Sequence, residues 1–122
     1  MNEWLLTLLT VAISMGTPLL FGTLGGVLSE RAGVIHLGME GVMLVGALSA
    51  FVVRLETGSV WLALIAAALT GGLVTMIHGF VCLVLRANQI ASGLALTLFG
   101  TGLSGLLGSG LVGKTFDPLA LV

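Results

Sequence analysis

The amino-acid sequence predicts an all-α membrane protein with about four transmembrane helices. Three observations carry that expectation. Only 7% of the 122 residues are charged and 57% are hydrophobic, whereas soluble domains carry about 25% charged residues. A soluble chain of this size could not cover its surface with so few charges. The charges also divide the chain into four apolar runs, at residues 4–28, 34–53, 59–85 and 90–112. Finally, 19 residues are glycine, about twice the usual share, and small residues let membrane helices approach closely.

The first run, 4–28, is uncharged and exceeds the roughly 20 apolar residues needed to span a bilayer. Thr10, Ser14, Pro18, Gly22 and Gly26 recur at intervals of four, which places them on one face suited to close packing. Pro18 lies mid-run and is expected to kink the helix, freeing a carbonyl that needs another partner. The start does not look like a signal peptide. Glu3 stands where a basic cluster would be, and the apolar run is far longer than an h-region.

Residues 29–41 read SERAGVIHLGMEG. The stretch carries Glu30, Arg31 and Glu40, and its glycines at 33, 38 and 41 loosen the backbone. The apolar part that follows is too short to span alone. It reaches membrane length only as a helix over 34–53 that carries Glu40 inside, or as a broken or re-entrant helix. Residues 54–58 then read as a short polar connection.

The third run, 59–85, repeats the interval of four through Ala63, Ala67, Gly71, Thr75 and Gly79. The fourth, 90–112, does so through Gly93, Thr97, Thr101, Gly105 and Ser109. The helix-packing glycines expected from these rows are Gly22, Gly26, Gly71, Gly79, Gly93 and Gly105. Asn88 is placed to cap the fourth helix, with Gln89 in its first turn. Residues 114–118 are polar. If all four runs cross, Arg54 and Lys114 face one side and Arg31 and Arg86 the other, so the positive-inside count does not set orientation. There is no internal repeat and no soluble domain.

The net charge of −1 implies no nucleic-acid partner. Cys82 is the single cysteine and reads as a small buried hydrophobe. His78, among apolar residues, is expected to bond a neighbouring helix. His36 and Glu40 offer two ligands where structural zinc sites take four, so neither a metal nor another cofactor is expected. Residues 108–115 fit G-x-x-x-x-G-K-[ST], the phosphate-cradling pattern, which needs a strand before it and a helix after. A membrane-length run precedes it and seven residues follow, so no nucleotide site is expected.

Glu40 has two readings. An ionised carboxylate at the centre of a membrane helix costs about 2.5–3.5 kcal/mol on insertion scales, so it either lines a transport pathway or anchors a half-helix near the interface. Glu30 and Arg31 read as an interfacial anchor or a local ion pair, worth little at a surface.

Residues 29–41 resemble the membrane permease subunits of bacterial binding-protein-dependent ABC importers. The branch is the one that holds branched-chain amino acid, ribose-type sugar and nucleoside permeases, and the nucleoside or simple-sugar subgroup is the most similar. That subgroup typically reads Ser-Glu-Arg-Ala-Gly-Val-Ile/Val-Asn, then Leu/Ile-Gly-Leu/Met-Glu-Gly. This chain matches it, with His36 where Asn is usual. Residues 17–22 and 87–96 are similar to the subgroup as well. The resemblance implies an inner-membrane transport subunit that does no covalent chemistry and imports a nucleoside or simple sugar by alternating access. It implies as partners a second permease subunit, cytoplasmic ATP-binding subunits and an extracytoplasmic substrate-binding protein. Glu40, His36, Asn88 and Gln89 become pathway candidates. Family members are longer and place the ATPase-coupling loop in their later half. Residues 1–122 are therefore expected to be the N-terminal part of a larger permease bundle, from a fragment, a truncated product or a split gene. The alternatives are a self-contained four-helix proton-coupled transporter using Glu40, and a scaffold of packed helices without transport.

Overall fold

The structure, a computed structural model, describes residues 2–115. Four helices follow one another: α1 (Asn2–Arg31), α2 (Met39–Thr57), α3 (Val60–Leu83) and α4 (Gln89–Ser109). Among the described residues there is no strand. Part of the expected polar stretch, residues 116–118, lies outside the described residues.

Three helices, α1, α3 and α4, are long and apolar enough to cross a membrane. The fourth expected span is the exception. Residues 34–38 are not helical, and α2 begins only at Met39 and continues to Thr57. Of the two readings of 34–53, the broken one is correct. The polar connection at 54–58 is corrected too. Arg54, Leu55 and Glu56 favour helix and stay in α2, which stops where Gly58 takes φ +69° and its N–H bonds Arg54 O. With Glu40, Arg54 and Glu56 inside 19 residues, α2 is too charged to qualify as a simple span.

The other boundaries follow local chemistry. Ser59 caps α3, its hydroxyl accepting from Leu62 N. Asn88 caps α4, its Oδ1 accepting from Ile90 N at 3.0 Å and Ala91 N at 3.1 Å. The fourth helix ends at Ser109, short of residue 112, and turns lead to Gly113 at φ +83°. α1 runs unbroken through Pro18.

α2 is the hub. It packs against both α3 and α4, α3 meets α4 over a smaller area, and α1 touches α2 alone. The seams are made of small and polar groups. Against α3, Gly46 lies by the carbonyl of Ala67, Gly71 by the Val42 side chain, and Ser49 Oγ lies 2.7 Å from Thr70 Oγ1. Against α4, Gly41 and Gly100 touch backbone to backbone. Among the described residues no large side chain is fully buried. The large apolar side chains point outward instead, with Leu98, Leu106 and Met76 each 74% exposed, as suits lipid or further helices.

Candidate functional site

The candidate site is the break between α1 and α2. α1 ends because Gly33 adopts φ +85°, a left-handed conformation that costs glycine little. Gly33 N then donates to Glu30 O and Val34 N to Ser29 O, both at 3.0 Å. This is the paired hydrogen bonding of a Schellman helix end. The chain continues irregularly to Gly38, which precedes α2 without a side-chain cap.

The break does not sit at the end of the bundle. Gly41 meets Gly100, which lies eleven residues beyond the start of α4, about 16 Å along the helix at 1.5 Å per residue. α2 therefore starts beside the middle of a membrane-length helix, and residues 33–38 run along its first half. In hydrocarbon every irregular backbone group needs an internal partner, and each one left unsatisfied costs several kcal/mol.

α4 supplies three such partners. Gln89 Oε1 accepts from Ile35 N at 2.8 Å, and Gln89 Nε2 donates to Gly33 O at 3.3 Å. The Thr97 hydroxyl lies 3.0 Å from Leu37 O and 3.2 Å from Gly93 O, so one proton is shared between two carbonyls. The approach is close because side chains are missing from it. A Cβ on Gly93 would sit 3.0 Å from Leu37 Cβ and 3.1 Å from Gly38 N, and one on Gly38 would sit 2.6 Å from Leu96 Cδ2.

α3 holds the other side of the segment. The His36 ring stacks on His78 with centroids 4.8 Å apart and planes at 23°. His78 is 4% exposed, and its Nδ1 lies 3.1 Å from Ser92 Oγ on α4. It therefore bonds a neighbouring helix, as its apolar surroundings require. Cys82, also buried, lies 3.6 Å from His78 Nε2. His36 Nδ1 is buried with no hydrogen-bond partner among the described residues.

Glu40 stands in the first turn of α2, near the positive end of the helix dipole, where a carboxylate is favoured. It is exposed. With Glu30, it lines an open groove of about 360 Å³ between α1 and α2, floored by Gly22 and Gly26 and walled by Met39 and Met43. Among the described residues no ion pair joins Glu30 to Arg31.

The four pathway candidates do not converge on one point. His36 stacks on α3 and lines a cavity beside α1, Glu40 lines the adjoining groove that shares Gly22, Met39 and Met43 with it, and Asn88 and Gln89 open α4. Asn88 Oδ1 is used as the helix cap, and the Gln89 amide holds residues 33 and 35. Of the expected packing glycines, Gly22 and Gly26 approach Met39 and Met43, Gly71 approaches Val42, and Gly93 approaches the break. A Cβ on Gly79 or Gly105 would meet nothing within 4 Å. The rows of four passed over Gly38, Gly41 and Gly100. Gly93 and Gly100 lie seven apart, two turns along one face, and that spacing was the available signal.

Residues 108–115 begin in the last turn of α4 and continue as turns, so a helix stands where a phosphate-binding loop needs a strand. Among the described residues no group of three or more His, Cys, Asp or Glu is placed to hold a metal ion.

A family model described as the permease component of the branched-chain amino acid transport system matches residues 8–118. The chain belongs to that permease family. Three relatives carry fuller names. A candidate glucose ABC transporter permease protein of Haloferax volcanii is 48% identical over 105 residues, 86% of this chain and 32% of that protein. A nucleoside ABC transporter permease protein of Lactococcus lactis is 40% identical over 93 residues, 71% of this chain and 29% of that one. A guanosine ABC transporter permease protein of Bacillus subtilis is 40% identical over 91 residues, 70% and 28%. The chain thus spans about a third of the length of these relatives. No solved structure matches it.

Proposed function

We propose that this chain forms part of the translocation path of an ABC importer in the bacterial cell membrane and helps carry a nucleoside or simple sugar. The observation that carries the reading is the family match over residues 8–118 together with relatives named for glucose, nucleoside and guanosine transport. In this reading the chain performs no covalent chemistry. A second permease subunit completes the path, cytoplasmic ATP-binding subunits drive alternating access, and an extracytoplasmic binding protein delivers the solute. The break supports the reading physically. Irregular backbone at membrane depth is tolerated where it is buried in protein or lines a water-filled cavity, and Glu40 beside an open groove suits the second case.

The test is uptake. Cells lacking their own nucleoside and hexose import receive the assembled importer containing this chain, and radiolabelled guanosine, uridine, glucose and ribose are supplied. ATP-dependent accumulation of one class is expected. Glu40→Gln is expected to lower the maximal rate with ATP dependence kept, as for an ionisable residue that lines a substrate path. Accumulation that survives loss of the ATPase and collapses with a protonophore would transfer the function to the proton-coupled alternative.

A further inference from the structure

We infer that Gln89 is a positioning residue, which holds the broken segment by its backbone and so sets where α2 begins. The inference rests on the permease reading above. The Gln89 amide meets a carbonyl at Gly33 and an N–H at Ile35, at 3.3 and 2.8 Å. Those two groups are of opposite kind, so the amide has one orientation. Flipped, it would set N–H against N–H and oxygen against oxygen. The pair brackets Val34, which is 9% exposed. The side-chain amide thus does for residues 33–35 what the peptide of a neighbouring strand does in a sheet.

The clamp is part of one row on α4. Gln89 holds residues 33 and 35, and Gly93 lets Leu37 and Gly38 approach. Thr97 takes Leu37 O, and Gly100 receives Gly41. Glu40 lies between the last two of these contacts, in the first turn of α2. The placement of that carboxylate at the groove beside α1 is therefore set from the opposite side of α2 by the row that starts at Gln89. An amide employed in this way acts on transport through the geometry of α2. A substrate ligand would need the same donor and acceptor free.

The experiment uses the assembled importer with Cys82→Ser and Val34→Cys in this chain, and a membrane-permeant methanethiosulfonate reagent as probe. Labelling of position 34 is expected to be slow. Adding Gln89→Ala is expected to speed it about tenfold, the population change that loss of two interhelical hydrogen bonds brings in a membrane. Gln89→Glu keeps the acceptor for Ile35 but sets an oxygen against Gly33 O, and is expected to speed labelling as well. In uptake, Gln89→Ala should lower the maximal rate and leave KM and the choice among substrates unchanged. Combined with Thr97→Val it should lose less than the product of the two single effects, because both hold one segment. Unchanged labelling, a raised KM with altered substrate choice, or independent effects of Gln89 and Thr97 would each overturn the inference. If the parent importer carries neither nucleosides nor sugars, the functional reading fails, and the labelling result still decides the clamp.

Discussion

α1 and α2 are neighbours with opposite characters. α1 has 30 residues, only Glu3, Glu30 and Arg31 charged, and buries none of them. α2 has 19 residues with three charges, and every other helix packs against it. In a water-soluble protein apolar surface would choose the central helix. Here it does not, because lipid tails are as apolar as leucine and give helices no hydrophobic reason to associate. What remains is backbone proximity and hydrogen bonding. α2 offers Gly41, Gly46 and Ser49 to its neighbours, whereas α1 offers a glycine face that meets only two flexible methionines.

The largest expected effect breaks α2. A Cβ on Gly100 would lie 2.5 Å from Gly41 Cα and O. That is a clash of backbone with backbone, and no rotamer relieves it. Gly100→Val should cost about 3 kcal/mol or more, at or above the upper end of ordinary overpacking, read as loss of the thermal unfolding transition in detergent. On α1, a Cβ at Gly16 meets nothing within 4 Å. Gly16→Ala should therefore stabilise by up to about 1 kcal/mol through helix propensity, and the same melt gives the contrast.

Next is the start of α4. Asn88→Ala removes the acceptor for Ile90 N and Ala91 N and should cost about 1 kcal/mol. Faster hydrogen exchange at those two amides checks it, and Asn88→Asp should restore protection.

A smaller effect tests the α2–α3 seam. Ser49→Ala and Thr70→Val each break the 2.7 Å pair and should each cost about 0.6 kcal/mol, the average for such bonds in a membrane. The double variant should cost little more than either alone, as a thermal double-mutant cycle would report.

The smallest effect is expected at the α1–α2 contact. A Cβ on Gly22 would sit 3.2 Å from Met43 Sδ and 3.3 Å from Met39 Sδ. Methionine is unbranched and re-packs readily, so Gly22→Ala should change stability by less than about 0.5 kcal/mol. A loss as large as that of Gly100→Val would mean that α1 is held as tightly as α2, and the contrast drawn between them would fail.

Much of this was legible in the residues. The three apolar runs at 4–28, 59–85 and 90–112 lie close to α1, α3 and α4 because span length and charge are local properties. The cap at Asn88 was legible for the same reason, since its partners are two and three residues away. The break at residues 34–38 was half legible. Its glycines and charges raised the choice between continuous and broken helix, and nothing local could settle it.

Its partners were not legible. Ile35 is 54 residues from Gln89, and Leu37 is 60 from Thr97. The seam at Gly41 and Gly100 joins two positions that lie in none of the intervals-of-four rows. The wrong ending for the second helix, at residue 53, came from treating Arg54 and Glu56 as loop residues. Charge ends a span, yet the helix itself continues until Gly58 turns left-handed.

The class, the three spans, the cap at Asn88 and the existence of a glycine-loosened polar stretch follow from the residues alone. These depend on the cost of exposing polar groups to lipid and on chemistry within a few residues. Tertiary contacts are what make the stretch a break running along the first half of α4, give three of its backbone groups partners on Gln89 and Thr97, and make charged α2 the hub. Those outcomes depend on which backbones approach closely enough to exclude side chains, a relation between residues far apart in the chain.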